Sequence, residues 1–122
     1  MKTKITELFG IQHPILLSGM SWISTPELVA AVSEAGGLGV LTALTFETAE
    51  GLADAIARTR ALTDKPFGVN LTFLPTVTAP DYEGYIRAII DGGSRVFVAG
   101  LGVPRDVIDA FHDEMEQMLA DR

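Results

Sequence analysis

The sequence predicts an α/β fold in which parallel strands alternate with helices. Three observations lead there. Short, continuously apolar runs at residues 15–17 and 38–41 have the character of strands buried on both faces of a sheet. Longer segments between the runs carry apolar residues at helical spacing. Glycine pairs, Gly36-Gly37 and Gly92-Gly93, close two of those helices directly before the next strand.

The first strand, Ile15 to Leu17, leads into the small residues Ser18 and Gly19 and then Met20. Thr25-Pro26-Glu27 starts a helix with a hydroxyl cap, proline at the first position and an acid in the first turn. Leu28, Ala31, Val32 and Ala35 form its expected apolar face. Leu38 to Leu41 is the second strand. A helix from about Phe46 to Leu62 has Ala49, Leu52, Ala53 and Ile56 as its expected stripe, and Asp64-Lys65-Pro66 breaks it. Phe67 to Leu71 is the third strand. A loop with Pro75 and Pro80 leads to a helix bearing Tyr82, Tyr85, Ile86, Ile89 and Ile90. Val96 to Ala99 is the fourth strand. The last helix starts near Pro104 and carries Val107, Ile108, Phe111, Met115, Met118 and Leu119.

About four strand–helix units in succession call for a parallel sheet with right-handed crossovers. A doubly wound open sheet, half of an eight-fold barrel and a truncated larger barrel all fit that grammar. The 122 residues are expected to form one domain, 1–122, with a real core. Length alone favours the open sheet, because a complete barrel takes about 250 residues.

Composition narrows the function. A net charge of −7 argues against nucleic acid or an anionic membrane as partner, since both need a basic face. With no cysteine there is no disulfide, thiolate metal site or cysteine nucleophile, which fits a cytoplasmic setting. The start, Met1-Lys2-Thr3-Lys4, is not followed by a continuous apolar segment, so no signal peptide is expected. No apolar run approaches the roughly 20 residues of a membrane span.

Several segments, in order, resemble the nitronate monooxygenase (2-nitropropane dioxygenase) family. They are Ile5-Thr6-Glu7-Leu8-Phe9-Gly10-Ile11 with His13-Pro14-Ile15, Gly19-Met20-Ser21-Trp22, Ala35-Gly36-Gly37-Leu38-Gly39-Val40, Leu62 through Leu71, and Val98-Ala99-Gly100-Leu101-Gly102-Val103-Pro104 with Ala110-Phe111-His112. Flavin-dependent enoyl-acyl-carrier-protein reductases share much of this stretch. The resemblance implies a partial, half TIM-type (β/α)8 barrel, truncated relative to the family. It also implies an FMN-dependent oxidoreductase lineage that oxidises alkyl nitronates with O2. In such a barrel the cofactor lies over the carboxyl ends of the strands. The residues at those ends are Ser18, Gly19, Met20, Thr42, Asn70 and Gly100, and these are the expected flavin contacts.

Each has a plainer reading. Asn70 could cap a strand end, Met20 could fill the core, and Gly100-Leu101-Gly102 could be a tight turn. An asparagine nevertheless suits flavin, whose pyrimidine edge presents donors and acceptors as an amide does. Gly36, Gly37 and Gly39 enter a strand instead of leaving one, so they are expected to be structural and not a phosphate loop. Trp22 is expected either at the barrel mouth or against the first helix. His13 precedes the first strand and His112 lies within the last helix. Both are expected to be structural, and no catalytic base is assigned. A phosphate anchor of the kind supplied after the seventh and eighth strands is missing.

A half barrel has open sheet edges and an uncovered inner face, so self-association is expected. The alternatives to a nitronate-type oxidoreductase, itself expected to be weak or inactive in this truncated chain, are a non-catalytic half-barrel binding or assembly module and a piece of a flavin-dependent enoyl reductase.

Overall fold

The structure, a computed structural model, describes residues 1–73, 80–94 and 96–100, with Arg105, Asp109, His112, Asp113, Glu116, Gln117 and Ala120. The order is α1 (Lys4–Phe9), α2 (Pro26–Glu34), β1 (Gly39–Thr42), a 3-10 turn (Ala43–Thr45), α3 (Ala49–Leu62), β2 (Phe67–Thr72), α4 (Tyr82–Asp91) and β3 (Val96–Gly100). Arg105, Asp109, His112, Asp113, Glu116, Gln117 and Ala120 are helical. The apolar stripe expected in that last helix lies outside the described residues.

The three strands form one parallel sheet in the order β1-β2-β3. Alternate residues split its two faces. Leu41, Phe67, Val69 and Leu71 join Val29 of α2, Leu52, Ala55 and Ile56 of α3, and Tyr85, Ile89 and Ile90 of α4 in one buried cluster. All three helices therefore cover the same face, α2 against α3 and α3 against α4. A doubly wound sheet would carry helices on both faces. Sequential strand order with one-sided helices is the arrangement of consecutive (β/α) barrel units, and the fold is part of a TIM-type barrel.

Local chemistry accounts for the elements. The Thr25 hydroxyl caps α2 at Leu28 N with Pro26 in the first turn, Thr48 caps α3 at Gly51 N, and Asp81 caps α4 at Gly84 N. Helix α3 starts at Ala49 instead of Phe46, because Phe46, which ends a 3-10 turn over Ala43–Thr45, is extended, and the extended Thr48 caps the helix. Helix α1 was not expected. It is set by a reciprocal cap between Thr3 and Thr6 and ended by Gly10 at φ +68°.

Three expectations are corrected. The first strand is reduced to a single parallel bridge, Leu16 to Leu38, made by Leu17 N to Leu38 O and Leu38 N to Ile15 O. Pro14 supplies no donor before it, and a turn takes up the backbone after it. Ile15 and Leu16 are accordingly 64% and 45% exposed, not buried. The buried face of α2 is Pro26, Val29, Ala30 and Ser33, one position away from the stripe read from periodicity. Contact at Gly39 decides this, since a Cβ there would overlap Val29 O. Helix α2 settles its backbone on that bare strand position, and Leu28 turns outward. In α3 the buried set is Leu52, Ala55, Ile56 and Thr59, with Ala53 exposed.

Two predictions follow from this packing. Gly39→Ala forces α2 off the sheet and is expected to cost about 1–3 kcal/mol in urea unfolding, as overpacking does. A neutral result would contradict the close approach. Tyr85 donates its hydroxyl to Phe46 O at 2.6 Å, and burial, then Asp81 and Glu47, push its phenol above the usual value. The raised value means that Tyr85 contributes stability that is complete below pH 10 and is lost as pH rises through the folded value. Tyr85→Phe should lower stability at neutral pH by about 1 kcal/mol and flatten the alkaline decline, as read by unfolding between pH 8 and 12.

Candidate functional site

The face of the sheet away from the helices carries the second alternation. Backbone register sets Thr42 of β1 beside Asn70 of β2, and Asn70 beside Val98 of β3. One pair further along, Thr72 sits beside Gly100. Thr42, Asn70 and Gly100 therefore share one face near the carboxyl ends of three adjacent strands, as the sequence led us to expect.

Gly19 joins them from the loop after the Leu16 bridge. A Cβ on Gly19 would fall 2.7 Å from the Asn70 Cβ and 3.1 Å from its Oδ1, so only a glycine lets the loop backbone rest on that amide. Ser18 and Met20 flank this contact. Ser18 O accepts from Ser24 Oγ at 2.8 Å, and Met20 N donates to Ser24 Oγ at 2.9 Å. Met20 is 39% exposed, so it is not core filler.

Polar groups in the row are partly used and partly free. Asn70 Nδ2 donates to Val98 O at 2.9 Å, and Asn70 Oδ1 accepts from Thr72 Oγ1 at 3.4 Å. One amide proton and one lone pair remain. The Thr42 hydroxyl is buried with no hydrogen-bond partner among the described residues, an arrangement that costs free energy unless something meets it. Gly100 leaves room for the Thr72 hydroxyl, which a Cβ there would approach to 2.9 Å. Among the described residues this row has no ionisable side chain, so its chemistry is the hydrogen bonding of a neutral, flat polar edge.

Other expected features lie elsewhere. His13 N bonds Gly36 O at 3.0 Å, before β1 and at the far end of the sheet. His112 is exposed on a helical position. Gly36 adopts φ +100° and closes α2, a structural role. Leu101 and Gly102 lie outside the described residues. Trp22 covers neither the row nor the core. It is 75% exposed and lines a cleft of about 330 Å³ between α2 and α3, with Pro26, Phe46, Asp54 and the Glu27–Arg58 ion pair. None of the six expected contacts lines that cleft.

Sequence reasoning missed Thr72 and Ser24. Thr72 was within reach, because residues two apart on a strand share a face and Asn70 was already chosen. Ser24 carries no such signal. It precedes the Thr25 cap and reads as ordinary loop chemistry.

Comparison with known proteins bears on the same segments. A family profile described as nitronate monooxygenase matches residues 2–118. The chain is 51% identical over 108 residues to (3aS,4S,5R,7aS)-5-hydroxy-7a-methyl-1-oxo-octahydro-1H-indene-4-carboxyl-CoA dehydrogenase of Rhodococcus jostii, covering 88% of this chain and 29% of that protein. It is 52% identical over 71 residues to nitronate monooxygenase of Pseudomonas aeruginosa, covering 58% and 20%. Among solved structures, FabK from Thermotoga maritima superposes with a TM-score of 0.84 at 37% identity, covering 94% of this chain and 35% of FabK. Nitroalkane oxidase from Streptomyces ansochromogenes superposes with a TM-score of 0.76 at 31% identity, covering 92% and 40%. The chain spans less than a third of the length of the curated relatives it matches.

The unpartnered hydroxyl gives a direct prediction. Thr42→Val keeps the shape and removes the orphaned oxygen, so the chain without ligand should gain about 1 kcal/mol in urea unfolding. A loss of similar size would mean that the hydroxyl already has a partner.

Proposed function

The chain belongs to the nitronate monooxygenase family, and from that premise we propose that its strand ends hold the ring of a flavin, FMN, in an oxidoreductase. The observation that carries this reading is the row itself: a buried Thr42 hydroxyl, unpartnered among the described residues, beside a half-satisfied Asn70 amide with Gly19 backbone resting on it. These groups fit a flat guest whose edge both donates and accepts hydrogen bonds. Asn70 is held in place by Val98 O and Thr72, so its free proton and lone pair point from a fixed amide. Thr42 supplies a hydroxyl that has no partner among the described residues and meets one when the guest arrives. Gly19 lets the backbone approach without a side chain between. When bound, the flavin supplies two-electron redox chemistry, and this chain's residues bind and orient it. Ser18, Met20 and Gly100 complete the rim. The substrate on this reading is a small alkyl nitronate, oxidised with O2.

One observation favours a second substrate class. Likeness to the Rhodococcus octahydro-indene-carboxyl-CoA dehydrogenase extends over 108 residues, against 71 for the Pseudomonas enzyme. Oxidation of a ring-bearing acyl-CoA thioester is therefore the competing reading for the same flavin site.

Both rest on flavin binding, which a titration tests. FMN fluorescence should be quenched on adding the purified chain, and Asn70→Ala should weaken binding by about tenfold, equivalent to about 1.4 kcal/mol. No quenching by the native chain would overturn the proposal. With flavin bound, oxygen uptake on adding an alkyl nitronate supports the first substrate class, and flavin bleaching by an acyl-CoA thioester supports the second.

A further inference from the structure

The loop that lays Gly19 on Asn70 has no regular secondary structure to hold it, yet its course is tightly fixed. One buried hydroxyl does most of this. Ser24 is 3% exposed, and its Oγ donates to Ser18 O at 2.8 Å while accepting from Met20 N at 2.9 Å. These two backbone groups flank Gly19 on either side. Ser24 N also donates to Met20 O at 2.9 Å, and Ile23 N to the same oxygen at 3.1 Å, which closes residues 20–24 into a turn. A second fastener lies outside the turn. Trp22 holds φ +67°, a conformation rare for residues other than glycine, and its N donates to Thr45 Oγ1 at 3.1 Å, just beyond β1.

We propose that Ser24 is a positioning residue, whose hydroxyl fixes the height of the Ser18–Met20 backbone over Asn70 and so shapes the site from behind. It acts through Gly19 and touches no guest itself. The side chain has the right capacity, since a hydroxyl can donate once and accept at the same time. Alanine at this position would leave both Ser18 O and Met20 N without that partner. The loop could then lift from the amide on which Gly19 rests. This inference rests on the flavin reading for its consequence, although the clamp itself does not.

Hydrogen exchange and flavin titration together separate the two. In the chain without flavin, Ser24→Ala should speed exchange of the Met20 amide by about tenfold while Leu41 and Val69 amides stay as they were. Its FMN affinity should fall by about tenfold. Combining it with Asn70→Ala should cost no more than Asn70→Ala alone, because the residue works through that contact. Unchanged Met20 exchange overturns the clamp. Faster Met20 exchange with unaltered affinity, or full additivity with Asn70→Ala, overturns the positioning role. If the native chain binds no FMN, the flavin reading falls and exchange alone decides the clamp. Should Ser24→Ala also loosen the strands, Ser24→Thr keeps the oxygen. A folded threonine variant that fails to protect Met20 overturns the proposal.

Discussion

The two-residue alternation of β2 is the constraint on which the rest of this structure depends. Phe67, Val69 and Leu71 point into the helices, and the residues between them, Gly68, Asn70 and Thr72, occupy the other face. A slip of one residue would bury an amide and a hydroxyl among Ile56, Tyr85 and Ile89 while turning three large apolar side chains outward. Burial of those side chains therefore sets the register, and the register alone brings Asn70 between Thr42 and Val98. Stability is decided on one face, and recognition is left to the other.

That division explains how the polar row is tolerated. A buried hydroxyl without a partner costs about 1–3 kcal/mol. The helix face offsets it with a continuous cluster from α2, α3 and α4 packed on alternate strand residues. The loop over the row is subject to the same economy. It draws its order from Ser24 and Thr45, side chains that belong to the sheet's surroundings and not to the row. The cleft between α2 and α3 is different in kind. Its Glu27–Arg58 pair is largely exposed, and such pairs contribute little to stability.

Much of this was legible in the residues. Thr25-Pro26-Glu27 fixes a helix start from local chemistry alone, and the structure begins α2 at Pro26. The apolar runs at 38–41 and 67–71 lie within one residue of the observed strands. Choosing strand ends as the site placed Thr42, Asn70 and Gly100 on one face because parallel strands end together. What stayed hidden depends on contacts distant in sequence. Periodicity gives the width of the α2 stripe, but the absent side chain at Gly39 decides which residues it contains. Ile15–Leu17 has the composition of a strand, yet its pairing stops at a single bridge. The cap of α1 joins two threonines where the usual pattern has an acid or amide at the third position, so no signal marked it. Nothing local shows that the Ser24 hydroxyl reaches back to Ser18.

The most direct test of this account is where FMN meets the chain. Chemical-shift mapping by nitrogen-15 NMR reads it, with the Asn70 side-chain amide as reporter. The row described above predicts that the Asn70 amide and the backbone amides of Gly19 and Thr42 move most on adding FMN. Largest shifts at Trp22, Phe46 and Asp54, around the cleft between α2 and α3, would contradict it.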